Sequence, residues 1–192
     1  MAKGGNYERE IFKKLSLWWT NNERDDVFWR TNSSGARATQ RKKGGKDTAY
    51  QAGDMTFTDP IGEPLVKIWN VECKTGYAAK KKTEAKVSVI NWCVLDILDS
   101  KQKVPVFINM WQQCNKDAKT NNREPILIFR RNHMQSCIAI KISYFNKLKD
   151  HFGTVLANKL QLKCKGLNIT IIGLASFLDW TALMREYLEG QK

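Results

Sequence analysis

The sequence lacks long apolar runs. No stretch of about 18 consecutive apolar residues occurs, so no candidate membrane-spanning helix is present. The opening Met-Ala-Lys-Gly-Gly-Asn also lacks the apolar segment of a secretion signal. These absences predict a cytoplasmic, intracellular protein with no membrane partner, and they are compatible with a nucleoid-associated or a viral or phage-encoded protein.

Cysteine pairs and histidines are scarce. The five cysteines (73, 93, 114, 137 and 164) are widely spaced, and no Cys-x-x-Cys or Cys/His ligand spacing occurs. A zinc site is therefore not expected, and the cysteines are predicted to be reduced core residues. The two histidines, His133 and His151, have no catalytic partners at useful spacing.

Acidic residues are outnumbered, with 19 Asp and Glu against 32 Lys and Arg and a net charge of +13. Such an excess indicates an anionic partner, and nucleic acid is the obvious polyanion. Hydrophobic residues make up 42% of the chain, which excludes global disorder. The length of 192 residues predicts a single domain spanning 1–192.

Two of the acidic residues, Asp54 and Glu72, stand in a recognisable pattern. The pattern is Gly53-Asp54 followed by Val71-Glu72-Cys73-Lys74. Side chains alternate along a strand, so Glu72 and Lys74 share one face while Val71 and Cys73 face the core. Asp54 would join them if strands near 53–59 and 64–74 formed a hairpin through residues 60–63.

Two carboxylates and a lysine at one place suit phosphodiester hydrolysis. Asp54 and Glu72 would bind Mg²⁺, or Mn²⁺ as a substitute, and the main-chain carbonyl of Cys73 is a natural third ligand. Lys74 would orient or deprotonate the attacking water, or stabilise the phosphorus centre. The alternative is an ordinary hairpin with a surface salt bridge, in which Asp54 belongs to a turn.

The N-terminal segment 6–20 has the pattern of an amphipathic helix, with Ile11, Phe12, Leu15 and Trp19 on one stripe and Asn6 as a candidate cap. Glu8 falls on the same stripe. A carboxylate on an apolar face is costly without a partner. Glu8 is thus either at a frayed helix start or directed into a functional site.

A strand is predicted at 26–31, followed by a long basic loop at 32–52. Its cationic residues, and the lysine run after Lys74, are candidate contacts to nucleic-acid phosphates. The alternative is a solvated, disordered loop. The candidates are Arg37, Arg41, Lys42, Lys43, Lys46, Lys80, Lys81 and Lys82.

The later chain predicts helices at 87–99 and 105–119, strands at 125–129 and 136–142, and a helix at 144–151. Strands at 159–164 and 168–173 and a helix at 176–188 follow. This order predicts an α/β fold with a mixed central β-sheet flanked by helices. Most of the seven tryptophans fit apolar stripes and are predicted to be core, while Trp29 and Trp180 are undecided.

The order of motifs resembles the PD-(D/E)XK nuclease superfamily: a helix with an acidic residue, a strand, a strand opening with Asp, a Glu-x-Lys strand, and a helix. The resemblance implies a restriction-endonuclease-like core in the order α-β-β-β-α-β. Within the superfamily, the opening run from Lys3 to Ile11 is similar to archaeal-type Holliday-junction resolvases. By that resemblance Glu8 and Arg9 belong to the site, and Ser33 and Ser34 contact DNA.

The run Trp111-Gln112-Gln113-Cys114 resembles a helix whose glutamine backs the metal site, which implicates Gln113; the alternative is a solvated helix position. The resemblance covers about 3–142 and leaves 143–192 as a C-terminal extension. The sequence departs from it in the long spacer between Asp54 and Glu72 and in Gly53, which replaces a proline.

The resemblance implies a Mg²⁺-dependent DNA endonuclease, with Holliday-junction resolution in DNA recombination or repair as the leading activity. It also implies a homodimer, because the two strands of a branched DNA are cut symmetrically. Two alternatives stay open: a repair or restriction-type nuclease acting on other DNA structures, and a non-catalytic basic nucleic-acid-binding protein.

Overall fold

The computed structural model describes residues 3–31, 53–75, 106–164 and 166–190. The predicted basic loop at 32–52, the lysine run at 80–82 and the predicted helix at 87–99 lie outside these described residues. The elements below are numbered within the described part of the chain.

Helix α1 spans Lys3–Trp19. The predicted apolar stripe is confirmed, since Ile11, Phe12 and Leu15 are completely buried. The helix begins three residues before the predicted cap, so the prediction that Asn6 caps it is wrong. Asn6 lies inside the helix, where its Oδ1 accepts a hydrogen bond from Arg9 at 3.0 Å.

The predicted hairpin of strands at 53–59 and 64–74 is wrong. Strand β1 (Phe28–Arg30) instead pairs antiparallel with β2 (Met55–Phe57). A 3₁₀ turn (Pro60–Gly62) and a short helix α2 (Glu63–Ile68) then precede β3 (Trp69–Thr75). The Asp59 side chain caps the turn by accepting from the Ile61 N–H, and Pro64 fits the first turn of α2, where no N–H is needed.

The remaining described elements follow the predicted order. They are α3 (Val106–Thr120), β4 (Glu124–Arg130), β5 (Cys137–Lys141), α4 (Ile142–Phe152), β6 (Lys159–Cys164), β7 (Leu167–Gly173), α5 (Leu174–Trp180) and α6 (Met184–Glu189). The single last helix predicted at 176–188 is two helices, α5 and α6. Their break at Thr181 leaves its hydroxyl bonded to the Phe177 carbonyl at 2.7 Å.

Five strands form a mixed sheet in the order β3-β4-β5-β7-β6, with β3 and β4 parallel and the other neighbours antiparallel. One buried cluster lies between the sheet and α1, α4, α5 and α6, and a second lies between the sheet and α3. The predicted α/β fold with a mixed sheet flanked by helices is confirmed, and it is compatible with a restriction-endonuclease-like core.

No helix in the described ranges is both long and apolar enough to cross a membrane. Among the described tryptophans, Trp19, Trp69 and Trp111 are buried as predicted. Trp29, which the sequence left undecided, is 44% exposed on β1. The described cysteines are free, with Cys73 and Cys114 buried.

Candidate active site

Strand β3 lies at one edge of the five-stranded sheet, because β4 is its only partner among the described strands. The predicted alternation of its side chains is confirmed. Val71 and Cys73 belong to the core on the α1 side of the sheet. Glu72 and Lys74 therefore face the α3 side, and Glu72 is buried with 7% of its surface exposed.

Asp54 reaches the edge of β3 through one main-chain and one side-chain hydrogen bond. Its N–H donates to the Val71 carbonyl at 2.8 Å, and the Cys73 N–H donates to Asp54 Oδ2 at 2.8 Å. Thr31, just after β1, donates its N–H to the Asp54 carbonyl at 3.0 Å. Asp54 is thus fixed between the small β1-β2 ribbon and the edge of the main sheet.

Gly53 permits this approach. Its φ of +77° lies in the left-handed region that favours glycine. A Cβ at this position would stand 2.6 Å from the Val71 carbonyl oxygen, which is a main-chain atom and cannot rotate away. A residue with a side chain at position 53 would push Asp54 off the edge of β3.

Lys74 Nζ forms an ion pair with Glu72 Oε1, and only 14% and 9% of the two side chains are exposed. An ion pair removed from water in this way is shielded from salt. The lysine ammonium is therefore held beside the carboxylates at the edge of the sheet, as the Glu-x-Lys spacing predicts.

Burial is the main cause that raises the pKa of Asp54, and the nearby charge of Glu8 raises it further, whereas the Cys73 N–H lowers it. The pKa of Glu72 is also raised, first by burial and then by the charge of Asp54. Two ionised carboxylates that share a poorly solvated site repel each other. A cation placed between them would relieve that repulsion.

Glu8 of α1 and Arg30 of β1 form an ion pair at 3.1 Å, with side chains 17% and 35% exposed. Gly5, one turn before Glu8, leaves room for the Arg30 guanidinium, since a Cβ there would stand 2.9 Å from Arg30 Nη1. Glu8 and Arg30 both lie near enough for their charges to act on the Asp54 carboxyl. Glu8 is thus paired with Arg30 and lies near Asp54, and its role in a functional site stays a prediction.

Arg30 was not predicted from the sequence. The signal available was its position at the end of β1, two residues after buried Phe28 and thus on the same side of the ribbon. Asp117 on α3 was also missed, and its charge raises the pKa of Glu72. Only the packing of α3 against β3 shows that Asp117 and Glu72 are neighbours.

Two further predicted site residues, Arg9 and Gln113, lie in the described ranges, on α1 and α3. Arg9 donates to Asn6 on its own helix. Gln113 is exposed on α3, and no hydrogen bond within the described residues joins it to Asp54 or Glu72. The predicted DNA contacts are outside the described ranges: Ser33, Ser34, Arg37, Arg41, Lys42, Lys43, Lys46, Lys80, Lys81 and Lys82.

The candidate site offers oxygen ligands to a metal ion. No three His, Cys, Asp or Glu side chains in the described part of the chain could hold an ion by themselves. Mg²⁺, however, is commonly bound through one or two carboxylates, with waters and substrate oxygens filling the other positions. The N–H and C=O of a strand residue point to the same edge, so the Cys73 carbonyl lies beside Asp54. Asp54, Glu72 and this carbonyl fit such an open site.

The sequence model of one protein family, described as "Phage putative PDDEXK endonuclease", matches residues 1–189 of the chain. The chain belongs to this family. The match covers Glu8, Asp54, Glu72 and Lys74, and it extends through the C-terminal strands and helices. Searches among curated proteins and among solved structures found no match.

Membership in the PDDEXK endonuclease family supports the superfamily resemblance and a nuclease function. The family description does not mention Holliday junctions. The similarity of the opening segment to archaeal-type resolvases therefore stays a prediction, as do the metal and the preferred substrate.

Proposed function

We propose that this protein is a Mg²⁺-dependent DNA endonuclease that hydrolyses phosphodiester bonds at the free edge of β3. The observation that carries the proposal is the meeting of Glu8, Asp54, Glu72 and Lys74 from three separate segments, in a chain that belongs to an endonuclease family. The alternative, a hairpin with a surface salt bridge, would explain neither the burial of Glu72 nor the close approach of Gly53 to the Val71 carbonyl.

Asp54, Glu72 and the Cys73 carbonyl would hold the cation. When bound there, Mg²⁺ would neutralise phosphate charge and lower the pKa of a water nucleophile. The hydrogen bond from Cys73 N–H keeps one oxygen of Asp54 directed along the strand edge and leaves the other for a ligand. Lys74 places a positive charge next to this centre, where it can orient the water or offset charge on the phosphate.

Glu8 supplies a third carboxylate from the opposite side of the sheet edge. Its pairing with Arg30 fixes its position and prevents an uncompensated negative charge beside Asp54. We assign Glu8 to orienting the attacking water, and Arg30 to positioning Glu8.

The proposed substrate is DNA, preferably branched, and the leading activity is Holliday-junction resolution by a homodimer in the cytoplasm. The net charge of +13 supports a nucleic-acid partner. The preference for junctions and the dimer rest on the similarity of the Lys3–Ile11 segment to resolvases. The phage-type family is compatible with a phage-encoded nuclease that acts on recombination or repair intermediates.

The experiment compares wild type, Glu72→Gln and the control Glu186→Gln, which changes an exposed glutamate on α6. Labelled four-way junction, duplex, flapped and single-stranded DNA are incubated with Mg²⁺, Mn²⁺ or EDTA. We expect Glu72→Gln to lose at least 10²-fold in cleavage rate, EDTA to abolish cleavage, and Glu186→Gln to match wild type.

Paired symmetric nicks on the junction, together with a dimer in sedimentation, would support the resolvase assignment. Equal cutting of all DNA forms would keep the nuclease and remove the junction preference. If wild type binds DNA in a salt-sensitive way but Glu72→Gln changes nothing and no metal supports cutting, the protein is a non-catalytic binding protein and the proposal is wrong.

A further inference from the structure

A second feature of the surface lies beside the candidate active site. An open cleft of about 440 Å³ begins where β3 and β4 end, and it is lined mainly by Asn6, Thr75, Arg130, Arg131, Asn132 and His133. Thr75 directly follows Lys74, and it pairs in register with Arg130 on the parallel neighbour β4. The cleft therefore starts one residue and one strand spacing from the proposed catalytic lysine.

The lining of the cleft suits an anion. Among the described residues, its lining carries two arginines, a histidine and the neutral donors Asn6, Thr75 and Asn132, and none of these lining residues is acidic. An anion entering it would meet hydrogen-bond donors from two strand ends, one turn and one helix. Such a set can contact phosphate oxygens without reading bases.

The two arginines have different roles. Arg130 is held in place, because its Nη1 donates to both oxygens of Glu10 at 2.9 Å and its guanidinium stacks 4.5 Å from the Tyr7 ring centroid. Arg131 is exposed, and within the described residues its side chain forms no ion pair or hydrogen bond. The Arg130 side chain thus forms a fixed part of the cleft lining, whereas the charge of Arg131 is available to a ligand.

The turn that carries Arg131 is stabilised by a main-chain hydrogen bond. The Met134 N–H donates to the Arg131 carbonyl at 3.1 Å, and His133 has a left-handed φ of 59°. This turn joins β4 to β5, which pair antiparallel from Phe129 and Cys137 onward. The position of Arg131 is therefore set by the central sheet rather than by a long loop.

We infer that this cleft binds the phosphodiester backbone of the substrate strand next to the scissile phosphate, with Arg131 as its main contact. The inference rests on the proposed nuclease function and extends it to a site that positions the strand. The cleft contributes affinity that is independent of base sequence.

The test uses fluorescence anisotropy with labelled duplex and four-way-junction DNA at increasing salt, in Mg²⁺ and in the Glu72→Gln background. Each phosphate contact contributes about one unit to the slope of log affinity against log salt. We expect Arg131→Gln to weaken binding and to reduce this slope by about one unit. Arg131→Lys should retain most of the slope. The matched control is Arg185→Gln, which removes an arginine paired with Glu189 on α6, and it should leave the slope unchanged.

Failure of the inference and failure of the proposed function have different signatures. If wild type cleaves DNA but Arg131→Gln keeps the full salt slope, the nuclease stands and the cleft assignment is overturned. An equal loss of slope in Arg185→Gln would also overturn it, because any surface arginine would then act alike. If wild type neither cleaves nor binds DNA, the nuclease function and the cleft assignment are both overturned. Thermal melts check that Arg131→Gln, a change at an exposed position, is folded.

Discussion

At the scale of single residues, the buried carboxylates of the candidate site destabilise the folded protein when they are ionised. Burial and the nearby charge of Glu8 raise the pKa of Asp54, and burial and the charge of Asp54 raise the pKa of Glu72. A folded state that holds such groups binds protons more tightly than the unfolded chain does. Its stability therefore decreases as pH rises from the ordinary carboxyl range towards the raised values.

Replacing Asp54 by Asn should remove part of that cost. The Asn side-chain oxygen can still accept from the Cys73 N–H, and the buried charge is lost. In EDTA we expect Asp54→Asn to match wild type near pH 4 and to have a higher melting temperature above neutral pH. The control Asp150→Asn, at an exposed position, should leave the melting temperature close to that of wild type. A pH-independent effect of Asp54→Asn would contradict the prediction.

The same carboxylates predict metal-linked stability. A ligand that binds only the folded state stabilises it by about 2.7 kcal/mol at one hundred times its dissociation constant. Mg²⁺ should raise the melting temperature of wild type at neutral pH and should have little effect on Asp54→Asn. An equal shift in both proteins would place the cation elsewhere. This readout does not depend on cleavage.

Arg30 offers a second test at the residue scale. Its contact with Glu8 is that of a positioning residue, and losing such partners typically costs roughly 10–100-fold in activity. We expect Arg30→Gln to lower kcat by that amount with a smaller change in KM. Arg30→Lys should recover part of kcat. A change confined to KM would assign Arg30 to substrate binding instead.

At the scale of elements, the site depends on where the β1-β2 ribbon meets β3. The sequence predicted a hairpin of β2 with β3, and the helix α2 between them makes that pairing wrong. The ribbon instead contacts β3 through the Gly53-Asp54 segment, with Asp54 N–H bonded to the Val71 carbonyl. The long spacer from Asp54 to Glu72 is occupied by the 3₁₀ turn and α2.

Gly53→Ala should therefore separate Asp54 from β3. The backbone strain of a left-handed alanine costs about 1–2 kcal/mol, and the clash with Val71 adds to it. A displacement of about 1 Å in a catalytic group can cost roughly 10²-fold in rate. Gly166→Ala is the matched control, because Gly166 has a similar φ of +79° with nothing within 4 Å of a Cβ. It should lose comparable backbone stability and retain cleavage; equal cleavage losses would contradict the role of Gly53.

At the scale of the whole molecule, the chain after residue 142 is built into the sheet. Strand β7 lies between β5 and β6, and Phe145, Leu148, Ile172 and Phe177 share one buried cluster with the α1 stripe. Trp69 at the start of β3 donates to the Tyr144 hydroxyl at 2.7 Å. The region that the sequence marks as an extension thus supplies two strands of the central sheet and helices that pack on it.

A chain truncated after residue 142 should fail to fold. It would expose the β5 edge and several large side chains, each worth about 1.5–3 kcal/mol on burial. We expect no cooperative thermal transition by circular dichroism and no cleavage, whereas the full chain unfolds in one transition. A truncated protein that melts cooperatively and cuts DNA would show that 143–192 is a dispensable appendage.

Local sequence patterns predicted most of the elements, with α2 and the break between α5 and α6 as exceptions, and they predicted the β3 part of the candidate site. Periodicity specified the buried face of α1, and alternation along β3 placed Glu72 and Lys74 together, because both follow from the geometry of one element. Long-range packing brings Asp54 to β3, pairs Arg30 with Glu8 and places Asp117 near Glu72. These contacts join residues far apart in the chain, and they depend on a turn, a left-handed glycine and helix packing that no local pattern encodes.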